Sequence, residues 1–266
     1  MTVIAPFKVS WEKLPDDFVL DDEPVDNLDQ PALAAALTES LELAGRLPVT
    51  ALTITNYGIC ATVDQRLVVK APDWGYVPSI RVSRQEIRRS YTPRLQGDKP
   101  VVVMEFLSDA EGGEYSSKPT YPLGKWFFYE QVLQIPNYAI FEPWSGTLEV
   151  YRLDDVGHYQ LRQPDEKQRY WIAEMKLFLG TWQGTRENRS GYWLRWWDEQ
   201  GNLLPWGSEL AERERREKDS ALQRVEQVEQ VRYEAVSRLL VMGLSAEQVA
   251  QALGLPVEHI RSKQSS

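Results

Sequence analysis

The chain has 266 residues, 42% hydrophobic and 26% charged, with a net charge of −9, one cysteine and 10 tryptophans. That composition suffices for a buried core, while the single Cys60 excludes an intramolecular disulfide and the lack of any ~20-residue apolar run excludes a helical membrane span. With no apolar run behind a basic start, the expectation is a soluble, non-exported protein of the reducing cytoplasm with no membrane partner.

Residues 1–28 are acidic, contain proline and lack periodicity, which predicts an extended arm. Within residues 1–30 the acids Glu12, Asp16, Asp17, Asp21, Asp22, Glu23, Asp26 and Asp29 face only Lys8 and Lys13, a net of −6 that leaves −3 for the other 236 residues. Residues 31–43 (PALAAALTESLEL) repeat apolar positions at three and four, with Asp29 available as N-cap and Gly45 just past the end, and predict a helix. Short β-like runs follow at 50–55, 67–70, 74–78 and 100–107. In the last of these, Val101-Val102-Val103-Met104 does not alternate, which suits a central strand covered on both faces.

Residues 108–121 are glycine- and serine-rich and read as a loop. Residues 122–134 (PLGKWFFYEQVLQ) read as a largely buried helix, 137–141 and 147–153 as strands about a turn, and 181–197 as a β region ending in a hairpin turn at 198–202. Helix, strands, helix and strands in that order predict an α/β fold with a mixed sheet flanked by helices. From 208 to about 241 the chain becomes one long charged helix. Its narrow apolar stripe of Leu222, Val225, Val228, Val231, Ala235 and Leu239 predicts a helix–helix seam, with another subunit or folded back on the domain. Gly243 ends it, Ser245 to Gln248 form a capping box for a further helix, and Pro256 opens a last short one. This tail has a helix-turn-helix rhythm, but Glu258, His259, Arg261 and Lys263 make a weakly basic reader, so a helical hairpin ending the coil is the competing reading. The expected divisions are an arm at 1–28, a principal domain at 29–205, a coiled-coil-like helix at 206–242 and a helical tail at 243–266.

The best chemistry lies at two strand ends. Asp73, after Pro72, and Glu105, at the polar end of its strand, can meet at the edge of adjacent strands, where they repel unless a proton, a lysine or a cation satisfies them. A hard divalent cation such as magnesium is the functional solution; a turn-closing Asp73 and a solvated Glu105 are the bland one. Between them Arg81, Arg84, Arg88, Arg89, Arg94 and Lys99 outnumber Glu86 and Asp98, a segment that suits phosphate or is simply a solvated loop. Lys125, at the start of the aromatic helix after the Glu105 strand, can project over both acids, with Lys118 and Lys70 as rivals. His158 and His259 lack ligand spacing, Cys60 has no histidine near it in sequence, and Gly112-Gly113 is no phosphate loop. Trp182, Trp193, Trp196 and Trp197 read as core or as a base-stacking platform.

With these residues in hand, the chain resembles the Uma-type restriction endonucleases, a bacterial family of PD-(D/E)XK-like nucleases, over about residues 30–205. The resemblance rests on KAPDW, VVVMEFLS, GKWFFYEQVLQIPNYAIFEP and YWLRWWDEQGNLLP in that order. It implies a restriction-endonuclease-like fold in which Asp73 and Glu105 bind magnesium (or manganese) and a lysine assists phosphodiester hydrolysis. Leu107 stands where an E-x-K motif has its lysine; the family's K-x-x-x-Y alternative is matched by Lys125 and Tyr129, and Tyr121 replaces the aspartate often found four residues before that lysine. The expectation is therefore a metal-dependent DNA endonuclease using Asp73, Glu105 and Lys125, with DNA contacts from Arg81, Arg84, Arg88 and Arg89. It would be a homodimer through the C-terminal helix, an arrangement that places two sites on a duplex. The rivals are a non-catalytic DNA-binding or regulatory protein on the same fold, and a coiled-coil scaffold.

Overall fold

The protein is seen in a computed structural model that describes residues 7–15, 18, 29–108 and 113–264. Most of the acidic arm, Gly112 and the Lys263 side chain lie outside the described residues. The chain divides into two units, Met1–Gly207 and Ser208–Ser266.

The first unit begins with β1 (Val9–Ser10), which pairs with β3, so the described part of the arm joins a sheet, and Leu14 is buried. Then come α1 (Gln30–Leu43), β2 (Leu52–Ile54), β3 (Ile59–Val63), β4 (Arg66–Lys70), β5 (Trp74–Val77) and β6 (Val102–Phe106). After a long connection the chain forms α2 (Lys125–Phe127), which runs on as a π-helical turn (Phe128–Val132). The strands β7 (Asn137–Glu142), β8 (Thr147–Leu153), β9 (Tyr159–Leu161), β10 (Arg169–Ile172), β11 (Leu177–Arg186) and β12 (Arg189–Trp197) complete it. The central sheet has six strands in the order β2-β5-β6-β7-β8-β9; only β6 and β7 pair in parallel, and α2 lies in the crossover that such a pair requires. Two three-stranded sheets, β1-β3-β4 and β10-β11-β12, accompany it.

Strand β6 is buried along its whole length, and pleating sorts its residues. Val102, Met104 and Phe106 enter a core built by Leu33, Leu37 and Leu41 of α1 with the aromatic inner face of β12. Val103 faces the opposite core, which contains Phe127, Phe128 and Tyr129, and alternation puts Glu105 on that same side. Each buried leucine of α1 contributes about 1.5–3 kcal/mol of transfer free energy. Asp29 holds the N-cap position of α1 without a side-chain cap bond, because its carboxylate pairs with Arg189 Nε at 2.9 Å.

Two elements differ from the sequence expectation, and the tryptophans take the first of their two readings. The helix at 122–134 starts only at Lys125: Gly124 is extended, and a Cβ there would lie 1.9 Å from the Ser116 carbonyl oxygen, so the loop passes too close for any other residue. The β region at 181–197 is part of a hairpin that turns at Glu187-Asn188, while 198–202 closes around Asp198, which accepts from the Gln200 and Asn202 N–H groups. The tryptophans are core: Trp193 and Trp196 are buried, and the fully buried Arg195 guanidinium sits 3.4 Å over the Trp206 ring while donating to Leu204 O.

In the second unit α3 (Gly207–Val241) is followed by α4 (Ala246–Leu253) and α5 (Val257–Gln264). The Ser245–Gln248 capping box forms, and Gly254 closes α4 at φ 63°. Val236 and Leu239 pack with Val249, Ala250 and Ile260, whereas Leu222, Val225, Val228 and Val231 are 52–61% exposed. Among the described residues no helix is long and apolar enough to cross a membrane.

Candidate functional site

The antiparallel register Trp74↔Met104 brings Asp73, one residue before Trp74, level with Glu105 at the C-terminal end of β6. Phe106 N–H donates to Asp73 Oδ2 at 2.6 Å, fixing the two acid-bearing segments to each other. Lys125 Nζ donates to Glu105 Oε2 at 2.8 Å and Tyr129 Oη–H donates to Oε1 at 2.9 Å. Four residues apart, Lys125 and Tyr129 reach one carboxylate from the same side of their helix. The structure thus brings Asp73, Glu105 and Lys125 together, with Tyr129 as a fourth member. Lys118 is engaged through its carbonyl by Gly124 N–H, and Lys70 pairs along β4 with Ile59.

Burial sets the electrostatics. Asp73 is 8% exposed and Glu105 0%. Desolvation pushes the Asp73 carboxyl up to about 6, against the opposing pull of Phe106 N–H and Lys125, with Glu114 adding to the rise. The same desolvation pushes Glu105 up to about 8, although Lys125 and the Tyr129 hydroxyl favour its ionised form. Burial alone would lower Lys125, but the Glu105 carboxylate beside it holds the ammonium above its ordinary value. The site therefore binds protons more readily than free carboxylates do, and its ionised state depends on a compensating positive charge.

Gln30 is a residue that sequence reasoning missed. At the first position of α1 it is buried, and its Nε2 donates to Phe106 O at 2.8 Å, bracing the main chain just beyond Glu105. A glutamine at a helix start carries no chemical signature, so only the fold reveals it. The four arginines are not drawn into the acid cluster. Arg81 pairs with Asp98 at 3.2 Å, Arg84 donates to Ala51 O, Arg88 to Gln85 O, and Arg89 to the carbonyls of Pro15 and Phe18. Ala51 adjoins the Val77 end of β5, away from Asp73. The Cys60 thiol is buried and pushed up to about 11, which leaves it unreactive as a nucleophile.

A hard divalent cation can be tested against the donors present. Among the described residues there is no group of three or more His, Cys, Asp or Glu side chains able to hold a metal. Two adjacent carboxylates do suit magnesium, which keeps several waters and takes one or two protein carboxylates plus substrate oxygens. The Asp73 carboxyl accepts through Oδ2 alone among the described residues, so Oδ1 retains its donor capacity, and each Glu105 oxygen keeps a second lone pair. When both are ionised, the two acids carry one more negative charge than Lys125 neutralises.

Compared with known proteins, residues 33–185 match the family model Uma2, described as "Putative restriction endonuclease". No curated protein matches the chain.

Proposed function

Since this chain belongs to the Uma2 family and has the restriction-endonuclease-like fold, we propose that it is a DNA endonuclease that hydrolyses phosphodiester bonds at Asp73, Glu105 and Lys125 with a divalent metal, magnesium or manganese. The observation that carries this reading is the Lys125 Nζ–Glu105 Oε2 contact of 2.8 Å at the place where Phe106 N–H ties Asp73 to the same strand end. Asp73 and Glu105 would hold the metal, which when bound would supply Lewis acidity toward the phosphate and lower the pKa of a coordinated water. Lys125, anchored on Glu105, presents its ammonium to the phosphate oxygens and offsets charge that develops on them. Tyr129 fixes the carboxylate rotamer from below, and Gln30 holds the main chain at Phe106. Arg81, Arg84, Arg88 and Arg89 keep donors beyond the bonds they make and contact the DNA backbone along its path away from the site.

Purified protein on supercoiled plasmid, with magnesium, with manganese and with EDTA, tests this directly. The expected result is metal-dependent nicking or linearisation that rises from pH 6 to pH 8 as both carboxyls lose their protons. A protein inert with both metals on duplex and single-stranded DNA would favour a non-catalytic DNA-binding role.

We also propose a homodimer through α3. Leu222, Val225, Val228 and Val231 form a stripe more than half exposed on one helix, which a second copy of the same stripe would cover. Light scattering should give twice the chain mass at micromolar concentration, and Val225→Lys with Val228→Lys should return it to a monomer. A monomeric wild-type protein ends the proposal.

A further inference from the structure

The connection between β6 and β7 returns to the acid cluster just before α2, and there it places an aromatic side chain that no role yet described uses. Tyr115 is 45% exposed. One side of its ring lies on Trp126, with centroids 6.5 Å apart and planes 25° from parallel, and Trp126 adjoins Lys125 in sequence. Its hydroxyl donates to Glu149 Oε2 at 3.0 Å, and the same oxygen accepts Tyr151 Oη–H at 2.6 Å. The main chain beside it is held as well, because the buried Tyr138 donates from its hydroxyl to Glu114 O at 2.9 Å. The ring is thus fixed at three points, an arrangement that folding alone does not demand of a half-exposed loop residue.

Its position follows from the sheet. Glu105 pairs with Ile140 and Ile140 with Glu149, so Glu149 stands in the same row and on the same face as Glu105, two strands away. Two strand spacings of ~4.8 Å put the anchor of Tyr115 about 10 Å from the Glu105 backbone. An immobilised, half-exposed aromatic ring close to the proposed phosphodiester site offers a stacking partner for a base that has left its own stack.

We propose that Tyr115 is a base-stacking residue that takes an unpaired nucleobase next to the phosphodiester held at Asp73, Glu105 and Lys125. The assignment rests on the nuclease reading of that site and narrows it. The preferred substrate is DNA that presents an unpaired base beside the cleaved bond, as in a single strand, a flap or a duplex opened locally. An intact duplex bears the additional cost of unpairing. The hydroxyl orients the ring through Glu149 and does not read the base, so the preference is for the presence of a base and not for its identity.

The test measures binding of fluorescein-labelled 20-nucleotide DNA by anisotropy, with calcium replacing magnesium to suppress cleavage. It compares the single strand, the matched duplex and a set of strands each lacking one base. Wild-type protein should bind the single strand more tightly than the duplex and should lose affinity when the missing base falls at one or two particular positions. Tyr115→Ala should bind the intact strand about 5- to 150-fold more weakly, the range for one base–aromatic stack, and should no longer respond to the missing base. Tyr115→Phe, which keeps the ring, should retain most of the affinity and the full positional response. An unchanged melting temperature for Tyr115→Ala separates this loss from unfolding. A Tyr115→Ala protein that responds to missing bases as the wild type does overturns the assignment while leaving the nuclease reading intact. Wild-type protein that binds neither single strand nor duplex overturns the nuclease reading and this assignment with it.

Discussion

Glu105→Ala is expected to leave a folded protein without DNA cleavage, and Lys125→Ala to lower kcat by about 100- to 1,000-fold with a smaller change in KM. Both follow from the same short contact. Glu105 is fully buried and meets Lys125 Nζ at 2.8 Å and the Tyr129 hydroxyl at 2.9 Å, so its loss would remove the proposed metal ligand and the anchor of the ammonium together. On the proposed function Lys125 supplies one electrostatic stabiliser, and removal of one such group from a preorganised site costs about 100- to 1,000-fold. Glu105→Gln separates the two roles, since the amide oxygen can still accept from Lys125 but carries no charge for the metal. Plasmid cleavage under single-turnover conditions, with circular dichroism to check folding, reads all three variants. Activity within tenfold of wild type in Glu105→Ala would remove this site from the chemistry.

Asp73→Asn, inactive as a nuclease, should be more stable than the wild-type protein at pH 8 in EDTA. The Asp73 carboxyl sits at about 6 in the folded protein, held up by burial, against an ordinary value of about 3.9. The folded state therefore binds this proton more tightly than the unfolded state does. Between roughly pH 4 and pH 6 the wild-type protein loses stability as pH rises, and above pH 6 it carries the whole penalty of an ionised, desolvated acid. The gap between those two values sets a ceiling of about 3 kcal/mol, and about 1–3 kcal/mol is the expected gain from asparagine, whose Oδ1 can still accept Phe106 N–H. Thermal melts of the two proteins should differ by several degrees at pH 8 and converge near pH 4. A variant that melts below wild type at pH 8 would mean that the fold needs the charge at position 73.

What the sequence disclosed depended on whether a signal was local. The unbroken Val101 to Met104 run marked a central strand because burial on both faces removes alternation, and β6 is buried on both sides. Asp73 and Glu105 were legible as polar ends of apolar runs, and Lys125 as the lysine that opens the aromatic helix after the second of them. Strands β3, β9 and β10 were not picked out, since runs of three to five residues give periodicity too little length. The start of α2 was placed too early because the bar to a longer helix is the approach of Ser116 to Gly124, a tertiary contact that composition does not carry. Gln30 and Tyr115 were invisible for the same reason: each gains its meaning from a partner across the fold, Phe106 for one and Trp126 with Glu149 for the other.

The lysine of this site arrives on a helix, while position 107, two residues after Glu105 and one past the end of β6, holds Leu107 packed against the core. Strand and ammonium have thereby been assigned to separate segments. The end of the strand can then pack an apolar side chain at position 107, while the segment that brings the ammonium varies independently of the sheet.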